Sequence, residues 1–191
     1  MRLGIVFSKT NCRAILLKKN HHQLACLKAF FIEKNEERAW QQSTLSYFRK
    51  NCGKLNKVIL GVENQSVMMR ELTIDATLSD KQILNYLRMQ SDHLFGYAAE
   101  KLSVDYEIIK NKIQGKKLIR VVSALQVDMT YYQELFLSQN FQLSAIDIDS
   151  LALERFYQFE NNIINKTMIS NQDLKKFAVA IGLALWGLNE Y

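Results

Sequence analysis

An α/β fold class, one α/β lobe interrupted by an α+β insertion, is predicted by three features of the sequence. Leu3 to Phe7, Arg13 to Leu17 and Gln23 to Ile32 show the alternation of strands from the first residues onward. Segments with helical spacing of apolar residues stand between later strand-like runs, which is the order an α/β lobe requires. Gly, Asn, Ser and Asp carry the turns, because 191 residues include no proline. With 48% apolar residues the chain can bury a substantial core.

Taken in order, "SKTN" reads as the first turn and "KKNHHQ" as the next hairpin tip. His21 and His22 fall at that tip, where adjacent residues seldom converge on a metal, so they are expected to be exposed. "NEERAWQQSTLSYFRKN" spaces Ala39, Trp40, Leu45, Tyr47 and Phe48 as a helix, with Asn35 as the expected N-cap and Cys52-Gly53 as its end. "KVILGV" is the strand that follows. Three meandering strands, a helix and a strand returning to the sheet begin a ribonuclease-H-like lobe, the core unit of actin-like proteins.

After "MMRELTI" the pattern changes. "LSDKQILNYLRMQSDHLF" reads as one amphipathic helix with Ser79 or Asp80 at its start. "KLSVDYEIIK" and "KKLIRVVSAL" form a hairpin about Gln114-Gly115, "DMTYYQELFLSQN" a helix and "QLSAID" a strand. This strand-helix-strand-strand-helix-strand block is expected as an inserted α+β subdomain over 68–144, with the lobe made of 1–67 and 145–191. "DIDSLALERFYQFE" resumes the lobe as a helix capped by Asp149 or Ser150, and the polar "NNIINKTMISNQD" leads to the last apolar helix.

That last run, Phe177 to Leu188, is shorter than the ~20 residues an α-helix needs to cross a bilayer. Ala178, Ala180, Gly182, Ala184 and Gly187 put small residues on every side of it, so it is expected to lie close against other backbone inside the core. The start of the chain shows no secretory pattern, and a cytosolic location is expected. Cys12, Cys26 and Cys52 lack metal or disulfide spacing and read as buried thiols. The net charge of +6 is placed unevenly: residues 1 to 32 hold six Lys or Arg and no acid. Without an RNA- or DNA-binding motif this is read as a solvated face, with no direct nucleic-acid partner.

Four blocks together resemble one family. They are "LGIVFSKTNCRAILL", the run from "KVILGVENQSVMMRELTI" to "KLSVDYEII", "VVSALQVDMTYYQELFLSQNFQLSAIDIDSLALERF", and "FAVAIGLALWGL". In their order they resemble the actin-like pilus assembly proteins of the PilM family, with the shorter HofM and ComA relatives of pilus and DNA-uptake (competence) systems. The resemblance implies an actin-like (ribonuclease-H-like) lobe with an inserted subdomain. It also implies a second, nucleotide-binding lobe before the terminal helix, where this sequence has only the linker between Glu160 and Leu174.

The family's first strand carries an acid and then a glycine at the phosphate turn, whereas this chain has Val6 and Ser8 there. Ser8, Lys9 and Thr10 are the candidate remnant of that phosphate loop; ATP and Mg²⁺ are disfavoured and no cofactor is expected. Two-metal hydrolysis is disfavoured for the same reason, since it needs converging carboxylates and residues 1 to 32 have none. Asp147 and Asp149 end a strand beside a helix start, where capping explains them, and His93 lies among apolar helical neighbours. Catalysis is therefore not expected.

What the resemblance implies instead is a scaffold at the inner face of the bacterial inner membrane. Such a protein holds the cytoplasmic N-terminal tail of the membrane protein PilN in a groove. Leu94, Phe95 and Tyr97, in "HLFGYAAEKL", are the candidate groove residues, expected to be half exposed. The alternatives are a nucleotide-binding member of the family and an FtsA-like cell-division adaptor. The latter would normally add a basic amphipathic helix after a segment such as "GLNEY".

Overall fold

The structure is a computed structural model, and it describes residues 1–20, 23–36, 39–113, 115–164 and 171–188. His21 and His22 lie outside the described residues. Two compact units are present, Met1–Asn64 with Gln133–Tyr191, and Gln65–Tyr132.

The first unit is built on a five-stranded sheet of β1 (Arg2–Phe7), β2 (Asn11–Asn20), β3 (Gln23–Glu33), β4 (Lys57–Val62) and β8 (Ala145–Ile148), in the order β3-β2-β1-β4-β8. β1, β2 and β3 form an antiparallel meander, and β4 and β8 run parallel to β1. Alternation along β1 assigns its two faces. Phe7 meets Trp40 of α1 (Trp40–Asn51) edge to face at 5.5 Å, and on the same side Phe30 of β3 meets Phe48 at 5.1 Å. Arg2, Gly4 and Val6 point the other way.

That second face is covered by α5 (Asp149–Ile164) and α7 (Ala178–Ala184), the latter preceded by α6 (Asn171–Lys176). Its core joins Val6, Ile15, Leu17 and Ile59 of the sheet to Ala152 and Phe156 of α5 and to Phe177, Ile181 and Leu183 at the last helix. The small residues of the terminal run allow this. A Cβ on Gly4 would collide with the Ala180 carbonyl and reach the Ala184 nitrogen at 2.7 Å, and one on Gly182 would collide with the Ala152 carbonyl. Strand to helix and helix to helix are thus in backbone contact. Cys12, Cys26 and Cys52 are buried free thiols, the last two pushed up to about 11 by burial.

The second unit is a three-stranded antiparallel sheet, β5-β7-β6, of β5 (Met68–Asp75), β6 (Leu102–Ile113) and β7 (Lys116–Leu125). α2 (Asp80–Met89) sets Ile83 and Leu87 on it, against Ile74, Leu102, Ile119 and Val121. The Ser79 N–H donates to Gln82 Oε1 at 2.9 Å, closing the first turn as a capping pair. Arg120 on β7 pairs with Glu107 of β6 at 2.8 Å and Glu71 of β5 at 3.5 Å.

Four expectations change. The first helix begins at Trp40 with Ala39 as N-cap, not at Asn35, because apolar periodicity starts only with Trp40. The helix expected as one piece over "LSDKQILNYLRMQSDHLF" is α2 followed by α3 (Ser91–Phe95), broken at Gln90. There the hydroxyl of the buried Ser91 donates to the Arg88 carbonyl at 2.9 Å. "QLSAID" is not a strand of the inserted block: β8 pairs with β4 and ends the large sheet. The division between units falls within α4 (Gln126–Ser138) and not at 144, since the buried rings of Phe136 and Phe141 pack at a tilt, 6.3 Å between centroids.

Candidate functional site

In an α/β sheet the carboxyl ends of the parallel strands are where chemistry is placed. In the first unit this edge holds the β1–β2 turn, the residue after β4 and the β8–α5 junction. Parallel register sets Gly61 beside Asp147 and Val62 beside Ile148, so Glu63 and Asp149 follow on adjacent strands. Three carboxylates, Glu63, Asp147 and Asp149, therefore share this edge.

Asp147 and Asp149 are held differently. Asp147, 8% exposed, accepts from Arg155 Nη1 at 2.9 Å, one α5 turn and more away, and from the Ile148 N–H at 2.8 Å. Arg155 Nη1 also donates to the Gly182 carbonyl at 2.8 Å, tying the pair to α7. Asp149 Oδ1 is buried without a hydrogen-bond partner, 2.7 Å from where a Cβ on Gly61 would stand. Burial, and then the charges of Glu63 and Asp147, push the Asp149 carboxyl up to about 6 against a smaller opposing effect of Arg13. The pairing of Asp147 with Arg155 and the presence of Glu63 were not read from the sequence. The signal available was Arg155 in the helix that begins directly after "AIDI".

The linkage consequence has a definite sign. Between the ordinary 3.8 and about 6, folded Asp149 keeps a proton that the unfolded chain has released, so its contribution to stability falls as pH rises through that window. Asp149→Asn removes this loss. The variant is expected to gain on the order of 1 kcal/mol over the parent at pH 7, after discounting for the exposed part of the group, and nothing near pH 4. Urea melts at the two pH values measure it.

The turn expected as a phosphate remnant is occupied by its own bonds. The Ser8 N–H donates to the Asn11 carbonyl at 2.8 Å, the Ser8 hydroxyl donates to the same oxygen at 2.9 Å, and the Asn11 N–H donates back to Ser8 Oγ at 3.1 Å. Lys9 and Thr10 are exposed. Val6, at the position where an acid would organise Mg²⁺, is buried in the core under the terminal helix. Among the described residues, no three His, Cys, Asp or Glu side chains are placed to hold a metal ion.

The groove candidates lie in the second unit, and the structure separates them. Phe95 is buried in the core there, which corrects its expected half exposure, whereas Leu94 is partly buried, as expected, and packs on the same core. The reason is the left-handed Gly96, which ends α3 and turns the chain outward after Phe95. Tyr97, next in line, is 42% exposed. Tyr86 and Met89 of α2 are exposed as well, and His93 stands on the surface. No described helix is long and apolar enough to cross a membrane.

The comparisons with known proteins agree with this architecture. A structure titled "PilM-PilN type IV pilus biogenesis complex" superposes with a TM-score of 0.72 at 12% identity, over 83% of this chain and 50% of that one. A second is the cytoplasmic domain of EpsL, an inner membrane component of the type II secretion system of Vibrio cholerae. It gives a TM-score of 0.54 at 10% identity, over 78% of this chain and 58% of that one. At such identities these likenesses show the fold, an actin-like α/β lobe with an inserted subdomain. This chain spans about half the length of the chains it matches. The family of type IV pilus assembly protein PilM matches over residues 4–179, nearly the whole chain, and the protein belongs to that family.

Proposed function

We propose that the protein is a non-catalytic assembly scaffold of a type IV pilus or DNA-uptake machine. It works in the cytoplasm, at the inner face of the inner membrane. Its partner is the cytoplasmic N-terminal tail of a PilN-like inner-membrane protein. The family match over residues 4–179 supports the pilus role, and the likeness to the PilM of a PilM–PilN complex supports the partner. The observation that carries the non-catalytic part is at the end of β1, where the buried Val6 stands in place of an acid and the Ser8 hydroxyl is spent on its own turn. Ser8, Lys9 and Thr10 then form a turn without a nucleotide, and neither ATP nor Mg²⁺ is a cofactor.

A tail held without chemistry gains its affinity from main-chain bonds and side-chain pockets on a preformed surface. Of the candidates, Tyr97 is the residue that offers such a surface, since its ring is exposed while Phe95 anchors the segment beneath it. Aromatic side chains at the centre of an interface commonly carry 2 kcal/mol or more on truncation to alanine. Tyr97→Ala is therefore expected to weaken binding of a synthetic tail peptide by roughly thirtyfold, read by fluorescence anisotropy, with the melting temperature nearly unchanged. Unchanged affinity would remove Tyr97 from the contact surface.

A further inference from the structure

The opposite edge of the first sheet, at the amino ends of β1 and β4, gathers positive charge that the sequence scatters. Arg2 pairs in register with Lys57, and the Asn56 and Lys57 N–H groups both donate to the Met1 carbonyl, which brings the loop after α1 to the start of β1. Lys28 Nζ donates to the Asn51 carbonyl at 2.8 Å, which places it at the end of α1 beside Arg49 and Lys50 of the last turn. Lys54 is exposed in the same loop, and Lys18 follows Leu17, the β2 partner of Arg2. Among the described residues, none of these cations is in an ion pair with a carboxylate.

A cleft of about 510 Å³ opens on this edge. Arg49, Asn56, Lys57, Asn140, Gln142 and Ser144 line it with cations, amides and a hydroxyl, and none of its lining residues is acidic. Lys57 Nζ stands 4.9 Å over the ring of the half-buried Trp186. Arg2 fixes that tryptophan's backbone by donating to the Trp186 carbonyl and, at 2.8 Å, to that of Ala184.

We propose that this edge is a docking surface for an anionic lipid bilayer, with headgroup phosphates entering the cleft at Arg49 and meeting Lys57 beside Trp186. Two observations favour a lipid surface over a free phosphate or an acidic peptide. The cations extend past the cleft to Lys18, Lys28, Lys50 and Lys54, a spread that one small anion leaves unused and a charged plane engages together. Trp186 beside Lys57 is the residue type that settles at a headgroup boundary. The proposal does not rest on the tail-peptide reading, and either can fail alone.

Cosedimentation of the full chain with phosphatidylglycerol-containing vesicles, and with pure phosphatidylcholine vesicles, tests it. Binding is expected to the anionic vesicles only and to weaken as salt is added. Arg49→Glu/Lys54→Glu changes two exposed residues, so circular dichroism should show the fold intact, and its vesicle affinity is expected to fall by about tenfold or more. Lys34→Glu/Lys175→Glu makes the same charge change at exposed residues of the far edge, where the Lys34 N–H bonds Thr10 of the β1–β2 turn and the neighbouring Lys176 carbonyl accepts from Arg13, and is expected to keep most of the binding. Absent binding to anionic vesicles, or an equal loss in both double variants, overturns the proposal. So does retention of inorganic phosphate or poly-glutamate in preference to vesicles, which assigns the cleft to a soluble anion or an acidic protein.

Discussion

Arg155→Met is expected to destabilise the protein by about 3 kcal/mol at neutral pH, lowering the melting temperature by roughly 10 °C for a chain of this size. The Arg155 guanidinium lies 2.9 Å from the carboxylate of Asp147, and their side chains are only 16% and 8% exposed. Removing one partner leaves a desolvated charge behind, which is the costly half of a buried ion pair. The variant also loses the bond to the Gly182 carbonyl, so the α5–α7 contact loosens at the same point. Asp147→Leu/Arg155→Met removes both charges, and it should recover most of the loss if the uncompensated charge is its cause. Urea unfolding of the single and double variants reads both values. A single variant within about 0.5 kcal/mol of the parent, as for an ordinary surface change, would mean that water reaches Asp147 freely.

The second large effect is expected at Gly182. Alanine there sets a Cβ into the Ala152 carbonyl, and backbone on both sides leaves no flexible side chain to yield. α5 and α7 must move apart over the apolar core they share, at a cost of about 3 kcal/mol, the upper end for overpacking. Gly115→Ala supplies the comparison. That residue has a left-handed φ of 77° and nothing within 4 Å of its Cβ position, so only backbone strain is introduced, on the order of 1 kcal/mol. Thermal melts should rank Gly182→Ala well below Gly115→Ala. The reverse order would show that the helices are free to separate.

Much of this packing is legible in the sequence. Small residues on every side of Phe177 to Leu188 can only mean close backbone approach, and the structure places Gly4 and Ala152 as the partners. The strands of the meander were readable because alternation has a short period and each strand is bounded by its own polar turn. "QLSAID" was misassigned because a short strand carries no mark of the neighbour it pairs with, and β4 lies far from it along the chain. Asn35 looked like a cap on residue type alone, while the burial that fixes the helix start begins at Trp40. In the candidate site, Val6 and Ser8 could be read directly as departures from a phosphate loop. Phe95 and Tyr97 could not be told apart, because the left-handed turn at Gly96 decides which ring goes inward. The edge charges were hidden for a similar reason: Arg2 and Lys57 meet only through parallel pairing of β1 with β4.

The scaffold reading is tested most directly by calorimetric titration of the protein with a synthetic PilN-type cytoplasmic tail peptide and, separately, with Mg·ATP. Micromolar binding of the peptide with no heat from Mg·ATP is the expected result, as follows from a first strand with Val6 in place of an acid and a Ser8 hydroxyl bonded within its own turn. Clear binding of Mg·ATP with none of the peptide would contradict it and return the β1–β2 turn to service as a nucleotide site.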